Sequence, residues 1–163
     1  MGLKEKKRSM EEKISTDIAE LSSELNRAVI KYRGVYSAWS KSHGASYNEM
    51  LVMYTVQDNG YCTQKQISES YLLPKQTVNN VFVSMIKNGM LTESPEHNSG
   101  REKAYVLTQK GIETAAPLLS SIGEVEKRAA LSMGIQKLEQ LTALMAEYDE
   151  LLKKALEESE SNN

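Results

Sequence analysis

The sequence predicts a mainly α-helical fold with one small β-hairpin, and three features of its 163 residues lead to this class. Apolar residues recur at helical spacing over most of the chain. Two short segments carry the Ser/Thr-x-x-Glu/Gln signature that begins helices. A single stretch after residue 89 places two strand-like runs around a polar, turn-rich centre, which is typical of a hairpin. The predicted order is four helices, the hairpin and two further helices.

The first helix is predicted from about Met10 to Ser42, and its apolar residues form a seam-like stripe. They step by four and three in alternation: Ile14, Ile18, Leu21, Leu25, Ala28, Tyr32, Val35 and Trp39. A helix of this length, roughly 45–50 Å, is too long for a small core to cover. We therefore expect part of the stripe to need another partner.

The next two helices are predicted from their first residues. Ser46-Tyr47-Asn48-Glu49 and Thr63-Gln64-Lys65-Gln66 are capping boxes, in which the hydroxyl and the third helical residue exchange hydrogen bonds with the backbone. They predict helices over about 47–57 and 64–70. A fourth helix follows, with Pro74 at its first position and Asn88-Gly89 as its stop. Its buried face is predicted to hold Val78, Val81, Phe82, Met85 and Ile86.

The C-terminal part of the chain predicts two long helices. Thr108 caps the first, which contains Pro117 and should kink there, and Met133-Gly134 ends it. The second runs from about Gln136 to Glu158, and its stripe repeats the alternation of the first helix: Leu138, Leu141, Met145, Tyr148, Leu152 and Ala155. The tail SESNN is expected to be disordered.

The third and fourth helices have the proportions of a helix-turn-helix, in which the second helix enters the DNA major groove. Helical spacing directs Gln76, Asn80, Ser84 and Lys87 outward, places Thr77 and Asn79 on the flanks, and leaves Lys75 at the exposed N-terminus. Asn and Gln can bind adenine through two hydrogen bonds, and Lys reaches guanine or phosphate. No acidic residue lies between Pro74 and Asn88. A face that only confers solubility would favour Glu and Lys, so we prefer DNA recognition.

The hairpin offers a second basic element. Residues 90–94 and 102–107 form its strands, and the distal part carries Arg101 and Lys103, which suit the narrow minor groove. A merely solvated turn is the alternative, since Glu96 and Glu102 flank the basic residues. The distribution of charge agrees with DNA binding by the central segment. Residues 61–110 hold six basic and four acidic residues, whereas residues 111–163 hold five basic and ten acidic residues.

These segments resemble the MarR (multiple antibiotic resistance regulator) family of winged helix-turn-helix transcription factors. The matching residues are TQKQISESYLLPKQTVNNVFVSMIKNGMLTE (63–93) and REKAYVLTQKG (101–111). The resemblance implies a triangular homodimer with three parts: residues 1–45 as the N-terminal dimerisation helix, 46–110 as the winged helix-turn-helix lobe, and 111–163 as the C-terminal dimerisation helices. Where the family usually has Asp-Arg-Arg in the wing, this chain has Ser99-Gly100-Arg101. Only Arg101 carries over, which predicts weaker and less salt-dependent binding.

The resemblance also implies a small aromatic effector, bound in a crevice between the dimer and DNA-binding parts. The corresponding helices carry six candidates for contacts to such a ligand: Tyr32, Tyr36, Trp39, Tyr47, Met50 and Tyr54. Core packing is the alternative for these side chains, because Tyr32 and Trp39 also lie on the apolar stripe.

The remaining observations exclude other classes. We find no nucleotide-binding or hydrolase motif and no metal-ligand cluster, so we expect no catalysis, cofactor or metal. The sequence contains neither a secretory signal nor an apolar run that could span a membrane, which favours the cytoplasm. Cys62 precedes a helix N-terminus, which could lower its pKa, but a lone cysteine is more typically a small buried residue.

The sequence thus favours a DNA-binding regulator, a ligand-responsive repressor that binds a pseudo-palindromic operator as a homodimer. Two alternatives remain at this stage. One is a winged-helix protein-interaction module that has lost DNA binding. The other is a carrier of small molecules.

Overall fold

The computed structural model describes the backbone of residues 3–161 and the side chains of residues 13–161. Its elements are α1 (Leu3–Ser42), α2 (Tyr47–Asn59), β1 (Cys62–Thr63), α3 (Gln64–Tyr71), α4 (Lys75–Lys87), β2 (Leu91–Glu93), a 3-10 turn (Pro95–His97), β3 (Ala104–Leu107), α5 (Gln109–Met133) and α6 (Ile135–Ser161). This confirms the predicted class. The chain divides into two compact units, Met1–Ala115 and Ala116–Asn163, with the division inside α5.

Both capping boxes are present, and they fix where α2 and α3 begin. The Ser46 hydroxyl accepts from the Glu49 N–H at 3.2 Å, and the Glu49 carboxylate accepts from the Ser46 N–H at 2.8 Å. Thr63 and Gln66 make the same exchange at the start of α3. The predicted glycine stops are also confirmed, because Gly89 and Gly134 have positive φ, and Gly60 ends α2 in the same conformation. Local sequence chemistry therefore determines most helix boundaries in this chain.

Several predicted boundaries were wrong. Pro74 is the N-cap residue of α4 rather than its first helical residue, because its ψ of 136° is extended. The α1 helix begins seven residues before Met10, at Leu3. The tail was expected to be disordered, yet α6 continues through Ser161, and residues 162–163 lie outside the described part. The kink at Pro117 stays a prediction, since α5 runs through that residue as one element.

A three-stranded antiparallel sheet completes the first unit, with the strand order β1-β3-β2. β2 pairs with β3 from Leu91↔Leu107 to Glu93↔Tyr105. β1 pairs Thr63 with Ala104. The hairpin was predicted, but β1 was not, because two residues are too short to show a strand period.

The core of this unit lies between the α2–α4 helices and the sheet. Phe82 of α4 is fully buried, and its ring meets that of Tyr105 on β3 edge to face, with centroids 5.1 Å apart. Val78 and Met85 are buried beside it, as predicted. Val81 is only half-buried, and Ile86 was wrongly assigned to this face, since it is 42% exposed. Fewer residues of α4 are therefore buried than its pattern of apolar residues predicted.

The terminal helices carry many exposed apolar side chains. On α1 these include Ile14, Ile18, Leu21, Tyr32 and Val35, and on α6 they include Leu138, Leu141, Tyr148 and Leu152. They follow the seam-like stripes that the sequence predicted. Within the described residues, no helix is long and apolar enough to span a membrane.

Candidate DNA-binding surface

The outward face of α4 is polar and free of acidic residues. Lys75, Gln76, Asn79, Asn80 and Lys87 are exposed, whereas the predicted contacts Thr77 and Ser84 are half-buried. The buried residues of α4 occupy the opposite side of the helix. The outward face thus presents amide groups and two cations at the protein surface.

Two of these amides are hydrogen-bonded to each other. The Gln76 Nε2 group donates to Asn80 Oδ1 at 2.9 Å, one helical turn away. The bond orients both side chains, and it uses one donor of Gln76 and one of the two lone pairs of the Asn80 oxygen. The second lone pair of the Asn80 oxygen and its amide N–H groups remain for the two hydrogen bonds to adenine.

The turn between α3 and α4 sets the orientation of α4 relative to α3. Leu72 adopts a left-handed conformation with φ of 49°, and it is the one residue other than glycine with positive φ among those described. The Ser68 hydroxyl donates to the Leu73 carbonyl at 2.8 Å, and the Ser68 carbonyl accepts from the Leu73 N–H at 3.1 Å. Leu73 itself is buried. This tight turn places the N-terminal turn of α4 at the surface.

The wing tip is a short turn that carries Arg101. Ser99 and Glu102 form an isolated bridge through two backbone hydrogen bonds, of 3.1 and 2.9 Å. Gly100 between them has φ of 59°, a left-handed conformation that glycine adopts without strain. Arg101 is exposed at this turn.

The second basic residue of the wing is held by an acidic neighbour. The Lys103 Nζ lies 2.7 Å from a carboxylate oxygen of Glu93, across the hairpin. The other carboxylate oxygen of Glu93 accepts from Asn98 at 3.2 Å, and Asn98 in turn accepts from the Ala104 N–H at 2.7 Å. The hydrogen bond from Lys103 lowers the pKa of Glu93, and the same bond raises the pKa of Lys103. The pair therefore stays charged across the neutral pH range.

A cavity of about 430 Å³ separates the wing tip from the start of α4. Lys65 and Lys75 contribute cations to its wall from α3 and α4, and Arg101 contributes a third from the wing. Glu69 and Glu102 line it as well. The structure thus brings Lys75 and Arg101 to one depression, whereas Gln76, Asn79, Asn80, Ser84 and Lys87 are not among its lining residues.

Three of the predicted effector residues form an aromatic cluster. Tyr32, Tyr36 and Tyr47 lie together, with ring centroids 5.0 and 6.1 Å apart, and the Arg33 guanidinium lies 5.6 Å from the centre of the Tyr47 ring. Burial raises the pKa of Tyr47. Trp39 instead stacks on His43 at 4.0 Å. Of the others, Met50 is fully buried in the core and Tyr54 is half-buried.

Cys62 is a core residue. Its side chain has no exposed surface, and burial raises the pKa of its thiol to about 12. The effect of the nearby helix N-terminus, which would lower this pKa, does not prevail. Among the described side chains, no three His, Cys, Asp or Glu residues gather as a metal site would require.

Sequence reasoning missed the contacts that hold the wing in place. Glu93 and Lys103 are ten residues apart, and only the hairpin register brings them together. Thr63 donates a hydrogen bond to Glu102 across 39 positions, for which the sequence holds no local signal. Tyr61 stacks on His97 with ring centroids 4.6 Å apart. These contacts involve residues that the sequence had presented as ordinary caps or solvated turns.

The fold of this chain is similar to those of solved bacterial transcriptional regulators. The fold matches a solved MarR-family regulator from Neisseria meningitidis with a TM-score of 0.74 and 27% identity, over 88% of this chain and 98% of the other. A search against protein-family profiles gives no match, and neither does a search of the curated proteins.

Two solved structures with bound ligands share the fold at lower identity. Staphylococcus aureus MarR in complex with salicylate and kanamycin has a TM-score of 0.64 and 19% identity, over 85% of this chain and 96% of the other. NadR in complex with 4-hydroxyphenylacetate has a TM-score of 0.64 and 15% identity, over 76% of this chain and 90% of the other. The shared architecture extends over the greater part of each chain compared.

Proposed function

We propose that this chain, whose fold matches that of a MarR-family regulator, is a sequence-specific DNA-binding regulator of transcription of that family. The observation that carries this proposal is the exposed, acid-free face of α4, where Gln76, Asn79 and Asn80 offer donors and acceptors beside Lys75. Amides of this kind suit base edges, and the lysine suits a phosphate or guanine. Thr77, Ser84 and Lys87 would add contacts on the flanks of the helix, and Arg101 and Lys103 would contact DNA from the wing.

The active form is proposed to be a homodimer. The exposed apolar stripes of α1 and α6 support this, since large exposed apolar patches mark interaction surfaces. A two-fold symmetric dimer would bind a pseudo-palindrome whose half-sites lie about one helical turn apart. We further propose that the bound dimer acts as a repressor.

A small aromatic effector is proposed to control DNA binding. The cluster of Tyr32, Tyr36 and Tyr47 offers aromatic faces, and Arg33 offers a cation for an acidic group. Salicylate and 4-hydroxyphenylacetate, the ligands in two proteins of this fold, combine an aromatic ring with an acidic group. Trp39 and Tyr54 would form the edges of the site, and Met50 would take part only if the cluster opened.

Selection of genomic DNA fragments by the purified protein, followed by sequencing, tests the main proposal. We expect enrichment of one inverted-repeat motif. The variant Gln76→Ala should lose the enrichment, whereas Gln57→Ala, which alters an exposed glutamine on α2, should retain it. Random recovery of fragments by the unaltered protein would contradict sequence-specific binding.

The rival function, a protein-interaction module, has one observation in its favour. Glu93 neutralises Lys103 in the wing, which reduces the charge available to phosphates. Titration with genomic fragments at about 50 mM salt separates the two functions, because phosphate contacts strengthen steeply at low ionic strength. Absence of binding under these conditions would favour the interaction module.

A further inference from the structure

On the premise that the chain binds DNA, we propose that Glu102 is a positioning residue, which holds the wing tip and its Arg101 against the start of α3 through Thr63. The side chains of Glu102 and Thr63 are both partly buried, and the Thr63 hydroxyl donates to Glu102 Oε1. A hydrogen bond to a carboxylate is about twice as strong as one between neutral groups. The acid beside Arg101 would thus support the wing rather than only repel phosphate.

The Thr63 hydroxyl links two elements because it serves both at once. It accepts from the Gln66 N–H at 3.0 Å, which caps α3, and it donates its proton to Glu102. A hydroxyl has one proton and two lone pairs, so both bonds can exist together. The cap fixes the hydroxyl relative to α3, and the carboxylate fixes the wing relative to the hydroxyl. The helix-turn-helix and the wing tip are therefore coupled through a single oxygen atom.

The tip needs such a support because the sheet ends before reaching it. The last pair between β1 and β3 is Thr63↔Ala104. Beyond it, the Ser99–Glu102 bridge closes the turn upon itself and joins it to no neighbouring strand. The stack of His97 on Tyr61 is a separate restraint on the wing. Glu102 supplies the restraint on the side of Arg101, where both residues line the cavity shared with Lys75.

The sign of the mutational effect distinguishes positioning from simple charge. If Glu102 only repelled phosphates, Glu102→Ala and Glu102→Gln would both tighten DNA binding. If it positions Arg101, Glu102→Ala should weaken binding to a mixed-sequence duplex about 3–10-fold, less than the free energy of a charged hydrogen bond itself would give, because the lost bond acts on DNA only through the arginine. Glu102→Gln keeps an acceptor oxygen for Thr63, so it should bind at least as tightly as the unaltered protein.

Two further variants test whether Glu102 affects DNA binding through Arg101. In an Arg101→Ala background, Glu102→Ala should cause little additional loss, because the residue acts through the arginine. The control Thr63→Ser retains both hydrogen bonds of the hydroxyl and should leave affinity unchanged. A full additional loss in the Arg101→Ala background would overturn the assigned role.

Amide hydrogen exchange of residues 98–103 in the DNA-free protein gives a readout that does not depend on DNA. Glu102→Ala should accelerate exchange about 3–10-fold at these amides, since the tip opens locally without its anchor, and Thr63→Ser should exchange at the rate of the unaltered protein. Unchanged exchange, or tighter DNA binding by Glu102→Ala, would overturn the inference. Faster exchange in a protein that binds no duplex would support the anchor and overturn the proposed DNA-binding function, so the two failures are distinguishable.

Discussion

The exposed face of α4 and the wing tip differ in how their polar groups are satisfied. On α4, the cations Lys75 and Lys87 share the helix with no acidic residue, and the amides of Gln76 and Asn80 bond to each other. In the wing, Glu93 binds Lys103, and Glu102 is engaged by Thr63. One region is open to a ligand, whereas much of the other is internally bonded.

This difference suggests separate contributions to DNA binding. An open face of amides suits recognition of bases, which requires donors and acceptors to change partners on binding. A wing whose charges are already paired releases fewer counterions, so it adds less to salt-dependent affinity. Its internal bonds instead favour a fixed position for Arg101. We expect specificity to depend on α4 and orientation to depend on the wing.

The largest effect is expected from breaking the connection between the two regions. Phe82 is fully buried and contacts Tyr105 of β3, so it ties α4 to the strand that carries the wing. Phe82→Ala should lower the free energy of unfolding by about 3–5 kcal/mol, measured by urea denaturation. The adjacent Val83 is 56% exposed, and Val83→Ala should change stability by less than about 0.5 kcal/mol. Equal effects of the two variants would refute the assigned burial of this face.

The next largest effect concerns recognition of bases by α4. Gln76→Ala and Asn80→Ala should each weaken binding to the selected operator by about 1–3 kcal/mol and relax its specificity. Because the two amides share a hydrogen bond, the double variant should lose less than the sum of the single losses. Competition titrations against operators altered at single positions measure both quantities. Unaltered discrimination by Asn80→Ala would show that another face is used.

A smaller effect is expected from releasing the lysine of the wing. Glu93→Gln removes the ion pair with Lys103, so the free lysine can contact phosphate. Affinity for duplex DNA should rise about 2–5-fold, with a salt slope steeper by about one. Glu96→Gln removes the same charge from the wing, yet Glu96 contacts His97 rather than Lys103. If both variants gave the same slope, general repulsion would explain the effect.

The smallest effect is expected in the turn before α4. Leu72 is 74% exposed and has a positive φ, a conformation that favours Gly or Asn. Leu72→Asn should raise the free energy of unfolding by roughly 0.5–1 kcal/mol and leave DNA affinity unaltered. The control Leu72→Ala removes the same exposed side chain but keeps the strained backbone, so it should bring no gain. Weaker DNA binding by both variants would indicate that Leu72 itself contacts DNA.

The elements with strong local signals were predictable from the sequence. Ser46 and Thr63 carry complete capping boxes, and Gly60, Gly89 and Gly134 stop the helices that precede them. Such signals depend on interactions within one helical turn, so the sequence contains all of their components. The alternation of apolar residues likewise indicated α1 and α6, although their ends extended further than expected.

Features that depend on tertiary contacts were not predictable. β1 exists because β3 pairs with it. Ile86 follows the helical apolar pattern, but it is exposed, whereas Val78, Phe82 and Met85 of the same helix are buried in the core. The Glu102–Thr63 bond requires the sheet register before its partners meet. The stack of Trp39 on His43 and the contact of Arg33 with the Tyr47 ring likewise depend on the folded chain and were not predicted.

The narrow buried stripe of α4 has a practical consequence for protein engineering. Three positions, Val78, Phe82 and Met85, contribute the fully buried side chains of this helix, whereas Gln76, Asn79 and Asn80 are exposed. Exposed positions tolerate substitution at a cost of about 0.5 kcal/mol or less. The outward face can therefore be randomised as a library while the scaffold folds unchanged, which makes the helix a module for directing the protein to new target sequences.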